Sequence, residues 1–231
     1  MAKLKILSAG AVKSGVAQLA QSFGRERGTE VEVEFTTAPE VRRRTGEGES
    51  VDVIIAPPMV MDELARSSKI FTDSRSLLGR SRIGVVVHKE SNVYELPDVE
   101  SFKRVLLSAS SIVRNKASSG AYAAKLLQEL CPATELGSRV VVVESGAAVM
   151  EYVAAHAPAA IGLAQISEIR VVLARGLPIR FAGPLPDAIQ NVTSYEAAAA
   201  SDSADVKSAR ELAAYMATPQ AKAVFAATGI D

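Results

Sequence analysis

The 231-residue chain has one cysteine, two histidines, no tryptophan and no net charge. A lone Cys131 excludes an internal disulfide framework and a cysteine-built zinc site; lying before Pro132, it reads as a partly buried small hydrophobe at a helix end. Lysine plus arginine equals aspartate plus glutamate at 26 each, so the basic excess of a nucleic-acid binder is missing. A small anion is not excluded, because helix-terminal amides can hold one without lysine or arginine. No stretch is long and apolar enough to span a bilayer. The opening "MAKLKILSAG" has no apolar signal core, so the chain as it stands is expected in the cytoplasm, or in the periplasm if a leader has been removed. P-loop, G-x-S-x-G and H-E-x-x-H patterns are missing, and "GEGESV" precedes a strand, the wrong order for dinucleotide binding. No catalytic pair, metal site or cofactor is expected.

What is there is an alternation of strands and helices. Val12, Val16, Leu19, Ala20 and Phe23 fall on one face of a helix from about 11 to 27, with Gly28 placed to end it. "EVEVEF" alternates as a strand with one wet face does, and "VDVIIA" reads as a buried strand between two helices. "IGVVVH" is a strand, and Asp98 can cap a helix carrying Phe102, Val105 and Leu106. "SIVRN", "RVVVV" and "AIGLAQ" are strands alternating with helices, and Ser167 is expected to cap "EIRVVLARG". After "GPLP" come "NVTSYEAAAA", whose alanine-rich 197–200 reads as the one low-complexity linker, and two final helices. The fold class is α/β, with mostly parallel sheets flanked by helices, in two lobes.

Four strand-to-helix junctions consist of small residues: Ser8-Ala9-Gly10-Ala11, Thr36-Thr37, Ser118-Ser119-Gly120 and Ser145-Gly146-Ala147. In open parallel sheets, ligands gather beyond the carboxyl ends of strands, where helix N-termini present unpaired amides and a partial positive charge. Small side chains leave that backbone open. Taken singly, each junction is also an ordinary helix cap or turn.

The segments "LKILSAGAVKSGVAQLAQSF", "GEGESVDVIIA", "SSGAYAAKLL", "AIGLAQISEI" and "ARELAAYMATPQAKAVFAATGI" occur in that order over nearly the whole chain. Together they resemble the molybdate-type solute-binding proteins of ABC transporters, with the type II periplasmic-binding-protein fold. The resemblance implies two lobes joined by two hinge crossings, near Leu78–Arg82 and Ala182–Leu185. Lobe one would hold 1–80 and 186–231, and lobe two 81–185. It further implies a small anion, a molybdate-like oxyanion or small carboxylic acid, in the interlobe cleft, and an ABC permease as partner. The implied ligand residues are Ser8, Ala9, Gly10, Ala11, Thr36, Thr37 or Ala38, Ser118, Ser119, Gly146 or Ala147, and Gln165. Ala11 and Gln165 stand where the family places a serine and a tyrosine; an amide at 165 both donates and accepts, which suits a ligand of mixed polarity.

A cytoplasmic ligand sensor on the same fold is the alternative function. An enzymatic reading would need Ser119 to pair with His88, which nothing in the spacing demands. Arg42-Arg43-Arg44 reads as a solvated helix face beside Glu40, Glu47 and Glu49. Arg114, at the end of "SIVRN", is the candidate for a charged ligand contact, and His156 suits a helix end.

Overall fold

The computed structural model describes residues 3–156 and 158–231. The chain begins with β1 (Lys3–Ala9), makes one 3-10 turn at Gly10–Val12 and enters α1 (Lys13–Arg27). Helix α1 buries Val16, Leu19, Ala20 and Phe23, and Gly28 ends it at φ 63°, where a side chain would be strained. Strand β2 (Glu30–Thr36) leads to α2 (Ala38–Gly46), capped by Thr37, whose Oγ1 accepts from the Glu40 N–H. Strand β3 (Val53–Ala56) is buried throughout, and α3 (Pro58–Arg66) follows.

The long β4 (Ser76–His88) begins well before the expected "IGVVVH" and carries the chain from one compact unit into another. One unit holds the residues up to Ser81 together with Thr193–Asp231; the other is Arg82–Val192. The second unit continues with α4 (Val99–Ser108), where Asp98 and Ser101 form a reciprocal capping box. Then come β5 (Ser111–Asn115), α5 (Ser118–Leu130), α6 (Ala133–Leu136), β6 (Val140–Val143), α7 (Gly146–Ala155), β7 (Ala160–Gln165), α8 (Ile166–Leu173) and β8 (Ile179–Pro184). The chain returns through β9 (Val192–Ala199) to α9 (Val206–Tyr215) and α10 (Pro219–Ala227).

In the first unit β2, β1 and β3 are parallel neighbours in that order, and β9 pairs antiparallel with β3. Helix α1 packs with α9 and α10, and α2 with α3. In the second unit β6, β5 and β7 are parallel neighbours, β4 runs antiparallel to β7, and β8 pairs with β4. Alternation along β4 feeds two cores. Ile83, Val85 and Val87 join Phe102, Leu106 and Leu126 on one side, while Val86 joins Val149, Met150 and Ile169 on the other.

Three expectations change. The segment Ala182–Leu185 is not a crossing: Leu185 is buried in the second unit's core, and Val192 closes that unit. Gln190 ties this stretch down, donating to the Ile83 and Leu185 carbonyls and accepting from the Ile83 N–H. Helix α8 is capped by Gln165, in extended conformation, so Ser167 lies inside the first turn. Ala197–Ala199 are buried strand residues paired with β3, not a linker.

Candidate functional site

Strand order puts a topological switch point in each unit. From β1 the chain crosses to β2 on one side and later returns as β3 on the other; β5 stands in the same relation to β6 and β7. Connections diverge at such a point and leave a crevice at the strand's carboxyl end. The residues there are the small-residue turns after β1 and β5.

In the first unit, Ala9 pairs with Thr36, which brings the turns after β1 and β2 side by side. Ser8 is fully buried, and its hydroxyl donates to the Ala9 carbonyl at 3.1 Å. Ala9, before the 3-10 turn, caps it with no side-chain bond. A Cβ added at Gly10 would make only an ordinary contact, 3.6 Å from the Thr36 carbonyl. Packing therefore does not require glycine at 10, and Gly10 and Ala11 are both partly exposed. Thr37 spends its oxygen on the α2 cap, and Lys13 places its ammonium 5.4 Å from the Phe35 ring centroid.

In the second unit, Asn115, Ser119, Gly146 and Gln165 come from the ends of three adjacent parallel strands and the helices that follow. Here the small residues have a different cause from the one expected. The Asn115 side-chain oxygen accepts from the Ala117 N–H at 2.9 Å, the Gly120 N–H at 3.1 Å and the Ser119 hydroxyl at 3.4 Å. A Cβ at Gly120 would lie 2.6 Å from both the Asn115 carbonyl carbon and Oδ1, and closer still to the carbonyl oxygen. The strand end itself makes glycine obligatory, and part of the α5 terminus is already satisfied. Ser118 opens the helix, and Ser119 is buried.

At α7 the Ser145 Oγ accepts from the Ala148 N–H at 3.2 Å, and Gly146 faces a carboxyl group. A Cβ at Gly146 would lie 2.5 Å from Oε1 of Glu168 and nearer to its other oxygen. Glu168 is the third residue of α8 and accepts from the backbone of Gln165, half of a capping box. The residue as a whole is half-buried, but its carboxyl lies deep; burial pushes it up to about 7, only partly opposed by the Gln165 N–H. Ala147 is half-buried beside it, and Gln165 is buried opposite Ile83 of β4. The switch point of the second unit thus combines an amide, a hydroxyl and a carboxyl poised near neutrality.

A family model described as bacterial extracellular solute-binding protein matches residues 4–231. The chain belongs to that family. A relative, an aconitate isomerase from Pseudomonas sp, is 27% identical over 237 residues, spanning 98% of this chain and 87% of that protein. The Azotobacter vinelandii periplasmic molybdate-binding protein superposes with a TM-score of 0.81 at 18% identity, covering 99% of this chain and 98% of that one. The sulfate-binding protein SubI from Mycobacterium tuberculosis H37Rv gives 0.80 at 14% identity, covering 100% and 86%. This solute-binding protein has the type II periplasmic-binding-protein fold.

The remaining candidates of the solute-binding protein fall outside the two switch points. Arg114 turns beside β5 toward a cleft of ≈ 200 Å³ lined by Leu127, Gln128, Cys131, Leu136 and Val140. Its Nη1 donates weakly to the Asn115 and Gly120 carbonyls, both at 3.4 Å. His88 accepts from the Glu90 N–H. Because Ile83 stands opposite Gln165, His88 lies roughly 16 Å farther along β4, toward the other end of the sheet from Ser119. That separation removes the Ser119–His88 pair.

Arg43 pairs with Glu40 and Glu47, Arg44 with Glu34 and Glu49, and Arg42 with Glu63. His156 bonds the Tyr152 carbonyl and stacks on its ring. Cys131 is buried, and burial raises its thiol. No group of three or more His, Cys, Asp or Glu that could hold a metal occurs among the described residues, and no helix there is long and apolar enough to cross a membrane.

Asn115 and Glu168 stand among the candidate site residues without having been singled out in the sequence. Asn115 had a signal: Asn two residues before the cap of a helix is the pattern of an Asx turn. Glu168 had a weaker one, an acid three residues after a strand end, where it can bond back to the cap.

Proposed function

We propose that this solute-binding protein holds a small carboxylic acid at the switch-point turns of its second unit and hands it to an ABC permease. The carrying observation is the second unit's donor set, in which Gln165, Ser119 and a Glu168 carboxyl poised near neutrality stand at the ends of adjacent strands. Carboxylate oxygens are more basic than those of sulfate, so they accept a hydrogen bond from a protonated Glu168 more strongly. The likeness to an aconitate isomerase points the same way, toward polycarboxylic acids. Titration calorimetry with citrate, aconitate, succinate, molybdate and sulfate tests this. Saturable binding of a carboxylic acid in preference to molybdate and sulfate is expected; tighter binding of either oxyanion would overturn the choice of ligand.

A second reading is favoured by one specific observation, the Glu168 carboxyl beside Gly146 and Gln165: the bound acid is isomerised rather than carried. It is tested by incubating the protein with cis-aconitate and following the trans isomer by proton NMR. Conversion that depends on Glu168 supports isomerisation, and an unchanged spectrum supports carriage alone.

A further inference from the structure

A carboxyl group at a helix N-terminus is ordinarily stabilised in its ionised form by the terminal amides and the helix dipole. Glu168 departs from that pattern. Its carboxyl rests against Gly146 at the start of α7, in space that any side chain at 146 would fill. Its hydrogen-bond partner is the Gln165 backbone, a residue at the end of β7 that is itself part of the candidate site. Glycine at 146 therefore admits a protein carboxyl to the place where the family resemblance implies a ligand contact.

The charged or titratable groups on the surrounding elements do not account for its state. Glu144 precedes α7 and pairs with Lys116; Glu151 and Tyr152 lie on α7, with His156 at its end. Arg170 is exposed on α8, Arg180 on β8 bonds the Ser91 and Asn92 carbonyls, and β7 carries no titratable side chain. None of these contributes to the shift of Glu168, which comes from burial against the single Gln165 bond. With no cation among the described residues to neutralise it, an ionised Glu168 repels an incoming anion, whereas an uncharged one offers an O–H donor.

We propose that Glu168 selects the ligand by binding it in the acid form, donating its O–H to a carboxylate oxygen, so that one proton is taken up with each anion bound. This rests on the carboxylic-acid reading above. Above neutrality the free protein holds Glu168 mostly ionised; the proton then comes from buffer acid, which is left as its conjugate base, and resides on Glu168 in the complex. Below pH ~6 the proton is already present and nothing is taken up.

The experiment is titration calorimetry of the full chain with citrate and aconitate, in two buffers of different ionisation enthalpy, at about pH 8 and about pH 5.5. The expected result is an uptake of about one proton per ligand at the higher pH and about none at the lower, with Kd rising roughly tenfold per pH unit above 7. Glu168→Gln keeps an acceptor for the Gln165 N–H, so the helix start is preserved, and should bind with no proton uptake and a flat pH profile. Gly146→Ala, which displaces the carboxyl without removing it, should also lose the uptake. Binding without proton uptake in the wild type, or unchanged uptake in Glu168→Gln, would overturn this proposal and leave anion binding intact. Failure of every acid to bind would overturn the carboxylic-acid reading and, with it, this proposal.

Discussion

Substituting Gly120→Ala should damage the protein far more than any other single methyl group near the site. The new Cβ would lie within 2.6 Å of the Asn115 carbonyl carbon and side-chain oxygen, and real Cβ atoms essentially never come under 3.0 Å. The obstruction is backbone, at the end of a strand paired on both sides with β6 and β7, so it cannot swing aside. Either the first turn of α5 lifts away or the end of β5 bends. Both loosen the bonds that Asn115 accepts from Ala117, Ser119 and Gly120. Overpacking of this kind costs roughly 1–3 kcal/mol, and weakening two or three hydrogen bonds about 1 kcal/mol each. Against this stands a helix-propensity gain of about 1 kcal/mol for alanine over glycine. The net loss is roughly 2–5 kcal/mol, and at about 2–4 °C per kcal/mol for a chain of this size Tm should fall by roughly 10 °C. Thermal unfolding followed by circular dichroism measures it. Gly46→Ala is the control: it lies in α2 with nothing within 4 Å of the new Cβ, and should leave Tm unchanged or slightly raised. A Gly120→Ala protein melting within about 2 °C of the parent would refute the reasoning, since a methyl group would then fit where a carbonyl stands.

Other expectations concern charge and core. Because the folded state raises Glu168 to about 7 from 4.5, its contribution to stability is fully present below about pH 4.5 and is lost as pH rises through 7. Unfolding free energies from urea titration at pH 5 and pH 8 should differ by up to about 3 kcal/mol from this group, and Glu168→Gln should flatten that slope. Glu49 has the opposite sign. Hydrogen bonds from Arg44 and then Lys5 lower it to about 2, so its smaller contribution is lost as pH falls toward 2, and Arg44→Ala should lower the urea midpoint slightly at pH 7 and leave it unchanged in acid. Phe225 is fully buried, and its ring fills the space that a Cβ at Gly15 would need, so Phe225→Ala should lower stability by about 3–5 kcal/mol in chemical denaturation without altering ligand preference.

Much of the fold could be read from local pattern. The apolar face of α1, its end at Gly28, the alternation of β2, the Asp98 cap and the strand "SIVRN" all stand where periodicity and capping chemistry put them. These depend on contacts within a few residues. What was misread depends on partners distant in sequence. Ala197–Ala199 look like low complexity until β3 and α9 are set beside them, and Leu185 looks like a crossing until the second unit's core closes over it. At the candidate site, small residues stand at the switch-point turns for mixed reasons. After β1, packing does not demand the glycine at 10; after β5 and β6, Gly120 and Gly146 make way for Asn115 and Glu168. Composition alone cannot separate space left open from space filled by another part of the chain. Gln165 illustrates the same limit: its place at a strand end was legible, its role as the α8 cap and partner of Glu168 was not.

The account depends most on the amides and side chains of the switch-point turns being the surface that a small acid meets. Backbone amide chemical shifts, followed while aconitate or citrate is titrated into the isotope-labelled protein, test it directly. Ser119, Ala147 and Gln165 of the second unit should move together along one saturation curve. Shifts confined to the cleft by Arg114 and Leu136, or scattered with no common curve, would contradict it.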